Sequence, residues 1–270
     1  MKLLNGAELA GFIKERHAQQ VRSMQHTKVV PKLAIVQVKD DPVINTYVRL
    51  KQQYGEDVGI AVEVHKPKQA DCAHLIESLN KDELVHGIIV QLPLENTDQT
   101  DEITNLVAPE KDVDALGLKP NFDPATPTAI LWLLAGYNID LAGKHILLVG
   151  RGKLVGAPLE KILKEAGHTV LVAGRGDDVA AMAAESEVII TATSSPGVIN
   201  SAMVRPGTVV VDAGVAGEEG MTVGDVSPDL YVRDDITITP QKGGVGPLTV
   251  CALFDNVIRA VTEQKLHKSN

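Results

Sequence analysis

The sequence predicts an α/β protein whose strands form parallel sheets in two domains, and three observations carry that reading. Short apolar runs alternate with helical patterns along most of the chain, as in successive β-α-β units. One unit is sharply drawn: the apolar run 145–149 ends in a turn with glycines at 150, 152 and 156, a helix starts there, and a second run, 169–174, follows one helix length later. Aromatic residues make up only 3% of the 270 residues while 44% are hydrophobic, so the core is Val, Ile, Leu and Ala, as in parallel sheets covered on both faces.

In chain order, residues 5–21 carry apolar side chains at helical spacing with Asn5 as a cap, followed by a strand at 33–38, a helix at 43–58 and a strand at 60–64. A helix at 71–79 and a strand at 87–92 come next, and Pro93 ends that strand. A helix at 98–107 precedes the polar loop 109–114. The irregular stretch 116–127, rich in Pro, Asn and Gly, marks a domain boundary, and a linking helix covers 126–137. Beyond the glycine turn come a helix at 158–166, strands at 187–193, 208–212 and 236–240, a glycine loop at 241–247 and a last helix at 248–263 that crosses back to the first domain. The expected domains are therefore 1–121, completed by 248–270, and 122–247.

A chain of 270 residues is long enough for two cores. The formal net charge of −9 argues against broad nucleic-acid binding, and Cys72 and Cys251 stand in no metal-ligand spacing, so neither a metal site nor a disulfide framework is expected. No signal-peptide pattern opens the chain, and no apolar run approaches the roughly 18 residues of a membrane span, so a cytosolic protein without membrane partners is expected.

Several groups suit chemistry. A strand, a glycine turn and a helix in that order offer unpaired backbone N–H groups to a phosphate, which makes the second domain a Rossmann-type dinucleotide-binding candidate. The residue after the second strand of such a unit selects the cofactor: Arg175, helped by Arg151, favours the 2′-phosphate of NADP, while Asp177 and Asp178 leave NAD open. Tyr47 and Lys51 lie four apart on one helix face, so phenol and amine can orient a substrate and move protons; alternatively the phenol packs and the amine reaches water. Gln91 stands at the end of a buried strand, where open parallel sheets place ligands, or it satisfies backbone groups there. Asp112 and Asp114 flank Val113 and are either solvated or able to grip a ring with adjacent N–H donors, such as an aminopyrimidinone. The loop 243–247 lets backbone approach a ligand, or is simply a tight connection.

Taken in order, Tyr47-Val-x-x-Lys51, Val90-Gln-Leu-Pro-Leu94, Lys111-Asp-Val-Asp114, Pro124-x-Thr-Pro127, Val149-Gly-Arg151 with Val155-Gly-x-Pro158, and Gly243-Gly-Val-Gly-Pro247 with Thr249 resemble one family over nearly the whole chain. It is the bifunctional methylenetetrahydrofolate dehydrogenase/methenyltetrahydrofolate cyclohydrolase family. The resemblance implies two α/β domains flanking a cleft, a homodimer formed through the second domain, NADP on that domain and folate against the first. It implies that Lys51 is the catalytic lysine, that Tyr47 stacks on the substrate, that Gln91 tunes the lysine and that Asp114 holds the pterin. It further implies folate contacts at Leu92, Pro93, Gly244, Val245, Pro247 and Leu248, and cofactor contacts at Gly150, Arg151, Gly152, Val155, Gly156, Arg175, Thr193 and Val215. The implied reaction oxidises 5,10-methylenetetrahydrofolate and hydrolyses the methenyl product to 10-formyltetrahydrofolate, a precursor for purine biosynthesis. The chain departs from the family's usual Ser at Gly152, Gly at Ala115, Pro at Glu95 and Lys242, Cys at Ala125, Met at Leu248 and Ser at Ile44. Two rival readings are a single-activity enzyme of the same fold and a non-catalytic folate- or nucleotide-binding protein; intact Tyr47, Lys51, Gln91 and Asp114 argue against the latter.

Overall fold

The computed structural model describes residues 1–26, 29–214, 216–218 and 221–269. In chain order the elements are β1 (Lys2–Leu3), α1 (Gly6–His26), β2 (Lys32–Val36), α2 (Pro42–Val58), β3 (Ala61–His65), α3 (Cys72–Lys81), β4 (Gly87–Val90), α4 (Thr100–Thr104), α5 (Ala125–Gly136) and β5 (Ile146–Val149). Then follow α6 (Gly156–Glu165), β6 (Val170–Ala173), α7 (Val179–Ala184), β7 (Val188–Thr191), β8 (Val209–Asp212), β9 (Ala216–Glu218), β10 (Met221–Val223), β11 (Thr237–Ile238) and α8 (Val245–Ser269). The chain forms two compact units: a first made of Gly11–Ala125 with the residues from Val250 onward, and a second made of Met1–Ala10 with Thr126–Thr249.

The first unit holds a parallel sheet in the order β3-β2-β4. Leu33, Ala34, Ile35 and Val36 of β2 are all buried, which requires cover on both faces and explains why the strand reads as a continuous apolar run. Helix α2 starts where the Asp41 carboxylate accepts from the N–H of Val43 and Ile44, with Pro42 in the first turn, and stops at Gly59 with φ 82°. Its inner face buries Ile44, Val48, Tyr54 and Val58. Part of α8 completes this core: Cys251, Phe254, Val257 and Ile258 are buried, and the Tyr54 and Phe254 rings lie 4.7 Å apart. Cys72 and Cys251 are buried and form no disulfide among the described residues. Helix α8 departs from the sequence expectation, because Val245–Gln264 is by length and composition apolar enough to cross a membrane. The physical reason is its position: 61% of that apolar window is buried inside the protein, and a helix with core on most sides is apolar all round.

The second unit is built on a sheet in the order β1-β11-β8-β7-β5-β6, parallel throughout. The expected domain 1–121 is thereby corrected at its start, since residues 1–10 belong to this second unit. Lys2 N–H donates to Ile236 O at 3.1 Å and Leu4 N–H to Ile238 O at 2.9 Å, adding β1 as an edge strand, and Leu4 is fully buried. Strands β9 and β10 form an antiparallel ribbon.

The expected helix 98–107 shrinks to α4 after a 3-10 turn at Thr97–Gln99. Past Thr104 the backbone tightens, Leu106 N–H donating to Ile103 O at 3.2 Å and Val107 N–H to Thr104 O at 3.3 Å, and Asn80 holds the exit, its side chain donating to Leu106 O at 2.7 Å and accepting from Ala108 N–H at 3.0 Å. Helix α8 begins at Val245, three residues before the expected start, so Pro247 sits in its first turn, where a missing N–H is tolerated.

Candidate active site

In the first unit, Tyr47 and Lys51 lie one turn apart on α2, next to the face that carries Val48 into the core. The Lys51 Nζ donates to Gln91 Oε1 at 2.8 Å. Gln91 follows β4, its N–H paired with Val36 O at 2.9 Å and its amide Nε2 donating to Leu92 O at 3.0 Å, so its remaining oxygen is turned to the lysine. Lys51 and Asp114 influence each other by charge without a direct ion pair among the described residues. Burial lowers the Lys51 pKa below the ordinary lysine value, and the Asp114 charge opposes that shift. Burial likewise raises the Asp114 carboxyl, opposed by Lys51. The result is a lysine shifted toward its neutral amine, with one neutral hydrogen-bond acceptor in hand. Tyr47 is 37% exposed, with its ring available to a ligand, and Leu92 is partly buried while Pro93 is exposed.

The two aspartates of the 109–114 loop divide their tasks. Asp112 is buried and accepts from Gly117 N–H at 2.8 Å and Leu116 N–H at 3.3 Å, so its carboxylate builds the loop. Ala115 has φ 55°, in the left-handed region that favours glycine. Lys111 is held by Leu79, Asn80 and Asp82 carbonyls at 3.0, 2.8 and 2.7 Å. Asn256 of α8 donates to Val113 O and Asp123 O, both at 2.9 Å, and so fixes the backbone beside Asp114.

In the second unit, Gly150 ends β5 with φ 103°, and a side chain there would meet Ala192 O at 2.5 Å; one at Gly156 would meet Gly150 O at 2.1 Å. The turn therefore closes only with glycine at both places. Gly152 has open space where a β-carbon would point. Val155 precedes the first residue of the ten-residue α6. Arg151 does not stand free: its Nε and Nη2 each donate to Glu160 at 2.9 Å, and Lys164 donates to the same carboxylate at 2.6 Å. These two cations push the Glu160 pKa down to about 2. Asp177 accepts from Gly174 N–H at 2.8 Å and Asp178 from Ala181 N–H at 3.0 Å, the latter capping α7. Exposed Arg175 has no hydrogen-bond or ionic partner among the described residues. Thr193 lies beyond β7, where its methyl would be 2.9 Å from a β-carbon on Gly150. Gly244, Val245 and Leu248 are buried and Pro247 is half-buried at the start of α8. Val215 lies outside the described residues.

The structure thus brings Lys51, Gln91 and Asp114 together, with Tyr47 one turn away, and gathers Gly150, Gly156 and Thr193. Asn256 and Asp225 escape a sequence reading because their partners are distant in the chain, and Glu160 because its Arg151 partner lies outside its own helix. Only Glu160 leaves a local trace, its four-residue spacing to Lys164 on one helix face.

Fold and site define a two-unit α/β enzyme with a nucleotide-type glycine turn in one unit and a partly buried lysine in the other. Residues 4–114 match the model of the tetrahydrofolate dehydrogenase/cyclohydrolase catalytic domain, and residues 124–265 match the NAD(P)-binding domain of the same family. The chain belongs to the tetrahydrofolate dehydrogenase/cyclohydrolase family. It is 35% identical to the bifunctional protein FolD of Desulforamulus reducens over 97% of this chain and 98% of that one. A crystal structure of the bifunctional FolD methylenetetrahydrofolate dehydrogenase/cyclohydrolase from Campylobacter jejuni is 34% identical, with a TM-score of 0.92 over 97% of this chain and 99% of that one. The Trypanosoma brucei enzyme, in complex with NADP cofactor and an inhibitor, is 25% identical with a TM-score of 0.89 over 97% of each chain.

Proposed function

We propose that this enzyme oxidises 5,10-methylenetetrahydrofolate to 5,10-methenyltetrahydrofolate with NADP+ and then hydrolyses the methenyl group to give 10-formyltetrahydrofolate. The observation that carries the hydrolytic step is the Lys51–Gln91 hydrogen bond with the lysine's pKa lowered by burial. The amine form of Nζ, which burial favours, accepts a proton from the water that adds to the methenyl carbon and passes it to the ring nitrogen as the C–N bond breaks; the hydroxyl proton leaves to solvent as the formyl C=O forms, so one proton is released overall. Gln91 holds Nζ in one place without adding a charge that would keep it protonated. Asp114 faces the adjacent N–H donors of the pterin, and the Tyr47 ring stacks on the substrate.

The residues of the glycine turn fit a dinucleotide: the close approach at Gly150 and Gly156 leaves backbone, rather than side chains, facing the start of α6. When bound, the nicotinamide ring supplies the hydride acceptor. Arg175 supports the choice of NADP, because it has no partner among the described residues, while Arg151 is paired with Glu160, and Asp177 and Asp178 serve backbone N–H groups. This reading also takes the enzyme to be cytosolic and homodimeric, with its product going to purine biosynthesis.

The test follows absorbance of the purified protein with 5,10-methylenetetrahydrofolate and either NADP+ or NAD+, in the wild type and in Lys51→Ala. The expected result is cofactor reduction by both proteins, with methenyl product accumulating only in the variant. Absence of cofactor reduction in the wild type would remove the dehydrogenase. Hydrolysis of supplied methenyl substrate at wild-type rate by Lys51→Ala would remove the role of the lysine.

A further inference from the structure

The second unit contains a pair of carboxylates that the two reactions above do not use. Asp225 is fully buried and accepts from Thr193 N–H at 2.6 Å and from Ser195 N–H at 3.1 Å. Asp212, at the end of β8, accepts from the N–H of Asp225 and of Val226, both at 3.0 Å, from Gly214 N–H at 2.9 Å, and from the Thr191 hydroxyl at 3.2 Å. Neither carboxylate has a cation partner among the described residues. Burial pushes the Asp212 pKa up, and the neighbouring Asp225 charge adds to that shift. Two carboxyl groups sharing one buried site are unfavourable unless hydrogen bonds satisfy them. Here those bonds come from Thr191 and from backbone N–H groups at three separate places in the chain.

The packing is close enough to fix the partners. A β-carbon on Gly214 would lie 2.0 Å from the Asp225 carboxyl carbon, and one on Gly224 would lie 2.1 Å from an Asp212 oxygen. The turn held by Asp225 lies in turn against the glycine turn, since a β-carbon on Gly150 would meet Ala192 O at 2.5 Å and the Thr193 methyl at 2.9 Å. The contacts therefore run from Asp212 to Asp225, to the Thr193–Ser195 backbone and on to Gly150.

We infer that Asp225 is a positioning residue for the dehydrogenase reaction: by fixing the Thr193 and Ser195 N–H groups beside the Gly150 turn, it sets the surface on which the nicotinamide cofactor lies. This inference rests on the NAD(P)-binding reading of the second unit and assigns Asp225 no part in the hydrolysis. A carboxylate suits the task because its two oxygens accept from both N–H groups at once, whereas an amide presents one oxygen and an opposing N–H₂.

The test compares wild type with Asp225→Asn by fluorescence titration with NADPH, by KM for NADP+, and by hydrolysis of supplied methenyl substrate. The expected variant binds NADPH about tenfold or more weakly, the loss that follows from leaving one N–H facing a donor, and hydrolyses methenyl substrate within about twofold of wild type. NADPH affinity equal to wild type overturns the inference, and so does a parallel loss of hydrolysis, which would make Asp225 a general structural residue. Amide exchange of the wild-type protein covers the case of a variant that fails to fold. Thr193 and Ser195 N–H should be protected before any cofactor is added, and rapid exchange at both overturns the inference as well. Failure of the wild type itself to bind NADPH is a distinct result, because it removes the cofactor reading on which the inference stands.

Discussion

The amine of Lys51 is held by the amide oxygen of Gln91 at 2.8 Å, and no carboxylate among the described residues touches it. That pairing fixes the nitrogen in place while leaving its protonation to burial and to the more distant Asp114. A carboxylate in the position of Gln91 would have held the nitrogen equally well and kept it charged.

Gln91→Glu should therefore raise the pKa of Lys51, since a carboxylate in contact favours the ammonium form. The amine is the form present above the pKa, so the acid limb of the cyclohydrolase pH profile should move to higher pH. Activity at neutral pH should fall roughly tenfold or more. An unmoved acid limb would separate the limb from Lys51.

Asp114→Asn acts with the opposite sign. The Asp114 charge raises the Lys51 pKa, so its removal should lower that pKa further and shift the acid limb to lower pH. KM for folate should rise in the same variant, because the neutral amide offers the pterin a single acceptor. Initial rates measured across pH at saturating substrate distinguish the two effects.

Arg175→Ala should reduce the preference for NADP+ over NAD+ by about 10- to 100-fold, the range of a charge-assisted contact to phosphate. The ratio of kcat/KM for the two cofactors is the measurement. An unchanged ratio would mean that the 2′-phosphate is held elsewhere, and Arg151, released by Glu160→Gln, would be the next residue to examine.

Asn256→Ala should leave the carbonyls of Val113 and Asp123 without their donor, at about 1–3 kcal/mol. Thermal unfolding should begin several degrees lower, and KM for folate should rise because the backbone beside Asp114 is no longer pinned. A lower melting temperature with unchanged KM would confine Asn256 to stability.

Gly6→Ala tests a contact at the start of α1. A β-carbon there would lie 1.8 Å from Gly244 O, where Ala7 N–H also donates to Gly243 O at 2.9 Å. The loop must shift, and the expected destabilisation is about 1–3 kcal/mol, read from the thermal transition. A transition within about one degree of wild type would show that the loop adjusts freely.

Much of this protein is written in local pattern. Strands β2, β4, β5, β7 and β8 are buried on both faces, so each stands out as an apolar run bounded by Gly, Pro or polar residues. The glycine turn shows equally well, because its close contacts admit no side chain at Gly150 or Gly156. What escaped is what depends on distant partners. Strand β1 is two exposed residues, Lys2 and Leu3, with no periodicity of their own, and it exists because β11 offers an edge. Helix α7 is six residues of mostly Ala and Met, too short to show a face. The carboxylates of Asp112, Asp114 and Asp225 look alike in sequence. Only folding sends the first to Gly117, the second toward Lys51 and the third to Thr193.

The last helix carries a consequence for how the polypeptide is made. Phe254 packs on Tyr54, and Asn256 closes the Asp114 loop, so the first unit lacks part of its core until the ribosome has passed residue 256. Residues 11–125 emerge early and must wait, with the Tyr54 surface uncovered, for a segment made more than a hundred residues later. Vectorial synthesis thus delays closure of the unit that holds the lysine until translation is nearly complete, and a nascent chain stalled before α8 exposes apolar surface of the kind that chaperones bind.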